Sequence, residues 1–199
     1  MTMNSTVTRD VVAGMPLPKK LLVGVSGSVA VLNLPSYLYA FRAAGIGQIA
    51  AVLTASAESF LPAGSLRLLC DGIYTEKDHG RGHVALGRWP DQVLVLPATA
   101  HLLGCIACGL APNLLATTLL ATEAPIIFVP AMNPLMWHKA AVRRNVTILR
   151  GDGHRVLDPL PGAAFEVASR AIVPSLTMPP PEVVLRHLSS EPATKVEMR

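Results

Sequence analysis

The stretch PAMNPLMW, residues 130–137, sets one amide, Asn133, between two prolines, with Met132, Met136 and Trp137 around it. An amide at such a place can donate hydrogen bonds to an anion without neutralising it. Pro130 and Pro134 restrict the backbone that carries it. A second chemically suggestive place is SGS at 26–28, where Gly27 and Ser28 sit between an apolar run and a helical pattern. Backbone N–H groups at such a junction, with the helix dipole, favour a phosphate. The stretch is neither GxGxxG nor a P-loop with its lysine, and Ser28 serves equally well as an N-cap. Thr54 and Ser56, in TAS, could add hydroxyls to the same phosphate or cap the next helix. A third is His83, in GHVALGRW, at a predicted helix start. A helix N-terminus favours the uncharged imidazole, the form a general base needs, although a surface histidine would look the same. The six histidines show no HxH or HExxH spacing, so no metal site is expected.

Positioning these residues requires strands that end where they lie. KKLLVGVSGS, IGQIAAVLTAS, DQVLVLPATA, APIIFVPAMN and NVTILRG read as five strands, mostly continuous apolar runs of the kind buried on both faces. Helical patterns fall between them: residues 28–44 with Pro35 dividing the pattern and Gly45 ending it, about 100–120, and about 135–143. Residues 152–181, rich in Gly, Pro and small side chains, read as a loop or hairpin before a last helix beginning at PPPEVVLRHL. Strands alternating with helices predict an α/β fold: a single doubly wound parallel-sheet domain, Rossmann- or flavodoxin-like. Ligands bind such sheets beyond the carboxyl ends of the strands. That rule selects SGS, TAS, PATA (97–100) and PAMN, all small or hydroxylated.

Composition narrows the partners. The 199 residues carry a net charge of +4 with only 15% charged and 51% apolar residues, which suggests a surface partly covered by copies of the same chain. Basic residues are dispersed, the densest pair being Arg143–Arg144, and are not interleaved with aromatics, so nucleic acid is not an expected partner. No apolar run reaches the roughly 18 to 20 residues of a membrane span. Residues 1–18 read as a disordered leader without a signal-peptide core, and the domain proper as 19–199, in a cytoplasmic protein. Cys70, Cys105 and Cys108 make an odd count. The CIAC pair lies in an apolar helical stretch and reads as buried structural thiols. A single phosphate held by hydroxyls and amides suits FMN better than a dinucleotide, with FAD as the alternative. No acidic residue ends the second strand to hold an NAD ribose.

HVALGRW, VLVLPATA, IACGLAPNLLATTLLA and PIIFVPAMNPLMW together resemble the homo-oligomeric flavin-containing cysteine decarboxylases, over roughly residues 20–188. The PxMNxxMW pattern is complete at Pro130, Met132, Asn133, Met136 and Trp137. LRLLCDGIYTE, FEVAS and LTMP are most similar to the epidermin-type peptidyl-cysteine decarboxylases. The resemblance implies His83 and Asn133 as catalytic residues. It implies flavin contacts from Gly27, Ser28, Thr54, Ser56, Phe60, Pro97, Ala98 and Thr99, and peptide contacts from Asn133, Met136, Phe165 and Ser169. It further implies a substrate clamp at about 160–180, a trimer or dodecamer, and a Cys-terminated precursor peptide as substrate. The implied chemistry is oxidation of the terminal cysteine to a thioaldehyde, followed by loss of its carboxylate to leave an enethiol for an aminovinyl-cysteine ring. Two departures stand out: His101 and Leu102 replace the usual Asn-Thr after PATA, and no cysteine lies in 163–179. The latter argues against phosphopantothenoylcysteine decarboxylation, which needs a late cysteine to reduce its intermediate. Flavin prenyl transfer is opposed by the intact PAMNPLMW, and a catalytically silent flavin-binding regulator by the presence of both His83 and Asn133.

Overall fold

The structure, a computed structural model, describes residues 16–166 and 169–189. The expected leader therefore lies, through residue 15, outside the described residues. The strands are β1 (Lys20–Val25), β2 (Gln48–Leu53), β3 (Gly72–Tyr74), β4 (Gln92–Ala98), β5 (Ile126–Pro130), β6 (Arg155–Val156), β7 (Leu160–Glu166) and β8 (Ala171–Thr177). The helices are α1 (Leu34–Ala44), α2 (Ala55–Glu58), α3 (His83–Arg88), α4 (Ala100–Ala107), α5 (Leu114–Leu120), α6 (Pro134–Trp137), α7 (Ala140–Gly151) and α8 (Pro181–Ser189). Short 3-10 turns occupy Val29–Asn33, Ala63–Leu66 and Glu76–Arg81.

Six strands form one parallel sheet in the order β3-β2-β1-β4-β5-β6. The direction of winding reverses between β1 and β4, so the doubly wound fold is present and its switch point lies there. Alternation along β1 explains the layers. Leu21, Val23 and Val25 face a core shared with α1, α2 and α8, while Leu22 faces one shared with α3 to α7. With both faces covered, no alternation of polar residues is possible, and the strand reads as an apolar run.

The divided helix after β1 is as expected: a 3-10 turn precedes α1, and Pro35 sits in the first turn of α1, where its missing N–H costs nothing. Four expectations need correction. NVTILRG is no strand; it lies in α7, where Val142, Val146 and Leu149 recur at helical spacing and are buried. The β-branched run imitated a strand, but the apolar period of the longer window decides. The helix expected over 100–120 is two helices, because Gly109 turns at φ +67° and Asn113 caps α5 through Ala116 N. The helix expected over 135–143 breaks at Lys139, whose extended backbone starts α7. Finally, only Cys105 of the CIAC pair is buried; Cys108 caps the end of α4 and is exposed. The short strands β3 and β6 gave too few residues for a periodic signal.

β7 and β8 pair with each other from Leu160–Thr177 to Glu166–Ala171 and form a separate two-stranded sheet. The segment read as loop or hairpin is thus a hairpin. It stands apart from the main sheet.

Candidate active site

The exits of β1, β2 and β4 are drawn together at the switch point. Gly27 is necessary there: a Cβ at that position would stand 2.3 Å from Ser56 Cβ and 2.9 Å from its backbone carbonyl carbon. Ser26 stitches the other side. Its hydroxyl donates to Pro97 O at 2.8 Å and accepts from Thr99 N at 2.9 Å, and its own N–H donates to Pro97 O. The Leu96–Pro97 bond is cis, and Pro97 and Ala98 are buried. Ser28, Thr54 and Thr99 each accept a backbone N–H as N-caps, from Ala30, Ala57 and Leu102. The capping reading therefore holds for Ser28 and Thr54 but not for Ser56, and Thr99 is a further cap. Each hydroxyl oxygen is an acceptor in its cap, which leaves its proton to donate elsewhere. Ser56 and Phe60 are exposed beside this junction.

The β5 exit carries the amide. Asn133 is exposed, and its Oδ1 accepts Leu135 N at 2.8 Å, the cap that opens α6. That bond fixes which end of the amide is which: the oxygen is occupied and the NH2 is presented outward as a pair of donors. Trp137, four residues on, is 5% exposed and packs in the core under the Arg143 guanidinium, 4.8 Å from the ring centroid. Its place in the motif is structural: it roots the short helix that Asn133 caps.

A cleft of about 760 Å³ opens over this end of the sheet. Its floor is Ser28 and the following 3-10 turn with Tyr37, and one wall is Ala131–Leu135. The other wall is the hairpin, including Phe165, Glu166 and Leu176. Apolar side chains dominate. Among the described residues, Glu166 is the sole acid in the lining, and no Lys, Arg or His lines the cleft. Tyr37, 6% exposed, donates from its hydroxyl to Pro179 O at 2.7 Å. Burial, with some contribution from Glu182, pushes that hydroxyl up to about 12, so it keeps its proton at any ordinary pH.

The structure thus brings Ser28, Asn133 and Phe165 to one cleft, with Gly27, Thr54 and Ser56 adjoining at the β1–β2 junction. Met136 is exposed but outside the lining, and Ser169 lies in the exposed hairpin turn. His83 begins α3 after Gly82, whose φ of +82° turns the chain into the helix. It too is outside the lining. The segment leading to it is tied down by Glu76, whose carboxylate accepts Leu114 N at 3.2 and 3.3 Å and so covers the start of α5. His101 is exposed on α4, with a ring nitrogen 3.6 Å from Cys105 Sγ and no place in the cleft. Sequence reading missed Ser26, Tyr37 and Glu166. Ser26 stood in the SGS stretch, but its bonds to β4 depend on strand order. Tyr37 carried no signal beyond an apolar helical position. Among the described residues no cluster of His, Cys, Asp or Glu could hold a metal, and no helix is long and apolar enough to cross a membrane.

The chain and its fold are similar to those of known proteins. The chain is 42% identical over 172 residues to the mersacidin decarboxylase of Bacillus sp. (strain HIL-Y85/54728), covering 84% of this chain and 87% of that protein. Its fold matches that of a histidine-to-asparagine variant of EpiD complexed with the substrate peptide DSYTC, at a TM-score of 0.80. Identity there is 29%, with 85% of this chain and 97% of the other covered. The coenzyme A biosynthesis bifunctional protein CoaBC of Escherichia coli (strain K12) is 32% identical over 151 residues, 73% of this chain but only 37% of that protein. A family model described as Flavoprotein matches residues 13–176, the whole six-stranded sheet with its switch-point exits and all but the end of the hairpin, and the chain belongs to that flavoprotein family.

Proposed function

We propose that the protein is a flavin-dependent peptidyl-cysteine decarboxylase that acts on the C-terminal cysteine of a ribosomally synthesised precursor peptide in the cytoplasm. The product is an aminoenethiol for an aminovinyl-cysteine-type ring, as in lanthipeptide biosynthesis. The observation that carries this reading is Asn133, a neutral donor with its oxygen already engaged, at the mouth of a cleft with no cationic residue among the described residues. Such a donor orients a carboxylate yet does not hold its charge as a lysine would. The carboxylate can therefore leave as neutral carbon dioxide, its electron pair and negative charge staying on the substrate.

The residues at the switch point suit FMN. The protons of the Ser28 and Thr54 hydroxyls and the exposed Ser56 offer donors for one phosphate, and the closeness enforced at Gly27 gathers them. Pro97, Ala98, Thr99 and Phe60 border the same junction. When bound, the flavin supplies the two-electron oxidation that makes the neighbouring carboxylate labile. The chain's own residues do the rest. Asn133 holds the carboxylate, Met132, Leu135 and Phe165 exclude water from it, and His83 takes the thiol proton. Met136 and Ser169 contact the peptide from the rim. No cysteine lines the cleft among the described residues, which accords with a product that is not reduced further.

His83 lies off the cleft of its own chain, so this reading includes a homo-oligomer, trimer or dodecamer, in which a second copy brings it to Asn133. The exposed apolar side chains Val29, Leu32, Leu135 and Met136 around the cleft mouth support such a contact. Light scattering on the purified protein tests the assembly. Mass spectrometry tests the reaction: a Cys-terminated peptide should become lighter by carbon dioxide and two hydrogens. Loss of carbon dioxide alone would mean a reducing route and overturn the assignment.

A further inference from the structure

The hairpin is tied to the body at its stems and packs on it through Leu176, beside the second stem. β7 and β8 bond along their length to each other and not to the main sheet, and Phe165 and Ile172 remain exposed on it. Where its wall stands over Asn133 is therefore set by the two short segments that join it to the body.

The two stems differ in kind. At the first, Leu157 N donates to Phe128 O at 2.9 Å, and Asp158 then meets Arg150 at 3.1 Å and Arg143 at 3.8 Å. The Asp158 side chain is 60% exposed, so water and salt screen these pairs, and they restrain the stem little. The second stem is Met178–Pro179–Pro180, with Pro179 buried. Neither proline can donate, so the stem's fixed polar contact is the one Pro179 O receives from Tyr37. A bond made out of water is not screened and has no solvent partner to replace it. The next residue, Pro180, already accepts from Val183 as α8 begins. The hydroxyl of Tyr37 thus acts at the last point before the chain becomes rigid helix, and the same side chain lines the cleft floor.

We propose that Tyr37 is a positioning residue for the peptide substrate: its hydroxyl pins the Pro179 stem and thereby sets the height of the hairpin wall above Asn133. The proposal rests on the reading that the cleft takes the peptide. It assigns Tyr37 no proton transfer.

The test uses the flavin-loaded protein and a Cys-terminated pentapeptide. Tyr37→Phe keeps the ring and removes one oxygen. KM should rise about threefold to tenfold, the worth of one buried hydrogen bond, with kcat within about twofold and the flavin spectrum unchanged. Amide exchange over residues 160–178 should quicken. Pro179→Gly keeps the acceptor carbonyl but frees the stem backbone; it should raise KM in the same way, and it serves if Tyr37→Phe does not fold. An unchanged KM in whichever variant folds, with only the melting temperature lowered, would make Tyr37 merely structural and overturn the proposal. Asn133→Ala separates this failure from failure of the cleft reading. If that variant retains full turnover, the cleft is not the peptide site. If it is inactive while the stem variants bind peptide normally, the positioning role alone is lost.

Discussion

The floor of the cleft and its hairpin wall are built on opposite plans. At the strand junction that adjoins the floor, backbones approach so closely that Gly27 has no room for a methyl group against Ser56, and Ser26 joins the ends of β1 and β4 through three hydrogen bonds. Among the described residues the strands of the wall pair only with each other, and the wall meets the body through Leu176 and two stems, one carrying screened ion pairs beside the Leu157 backbone bond and one a buried hydrogen bond. The difference separates two tasks. Reaction geometry demands positions held to fractions of an ångström, which only a packed junction provides. On the proposed reading, peptide entry would demand a surface that can shift, which a stem-mounted hairpin would allow.

The comparison can be broken by variants whose effects should fall in order. The largest is His83→Asn, expected to lower kcat about 10²- to 10⁴-fold with flavin retained, as loss of a general base does. Single-turnover flavin reduction measures it, and full activity would move the base elsewhere. Next is Gly27→Ala. The added methyl must push Ser56 and its backbone away, at about 1–3 kcal/mol, and the gathered donors should disperse. A lower melting temperature together with loss of the yellow colour on gel filtration checks this; hairpin changes should show neither. Phe165→Ala sharpens the other side. Its ring is 50% exposed and lines the cleft, so truncation should leave melting unchanged and raise peptide KM about threefold to tenfold.

The smallest effect is one of pH, and it belongs to the scaffold. Asp71 accepts Ile49 N and pairs with Arg42, both at 2.7 Å, which holds its carboxyl below its ordinary value, the Ile49 bond contributing most. A carboxylate depressed on folding stabilises above its ordinary pKa and loses that contribution as pH falls through the folded value. Asp71→Asn should therefore lower stability at neutral pH, with the deficit shrinking as pH falls, so that the acid midpoint moves less than the neutral-pH loss alone predicts. The side chain is half exposed, so the change is modest. Circular dichroism through an acid titration reads it.

Much of this was legible in the chain. Apolar runs buried on both faces announced a parallel sheet, and Gly45 and Pro35 marked real boundaries, because those residues constrain their own backbones. The exits SGS, TAS, PATA and PAMN were found by composition, since only small or hydroxylated residues suit a crowded strand end. NVTILRG misled because three consecutive β-branched residues, Val146 to Ile148, outweigh a helical period that shows only over twelve residues. Cys108 misled because Gly109 ends α4 and turns the thiol outward.

The sequence by itself determined the fold class, the four exits and the amide in PAMNPLMW, all of which depend on residues near one another in the chain. Tertiary structure alone decided which exits meet, which end of Asn133 is offered, and that Tyr37 grips Pro179 across 142 positions. It also set His83 apart from the cleft of its own chain. The reason is physical: local sequence governs dihedral angles and caps, whereas strand order and packing govern which distant groups come within a few ångströms.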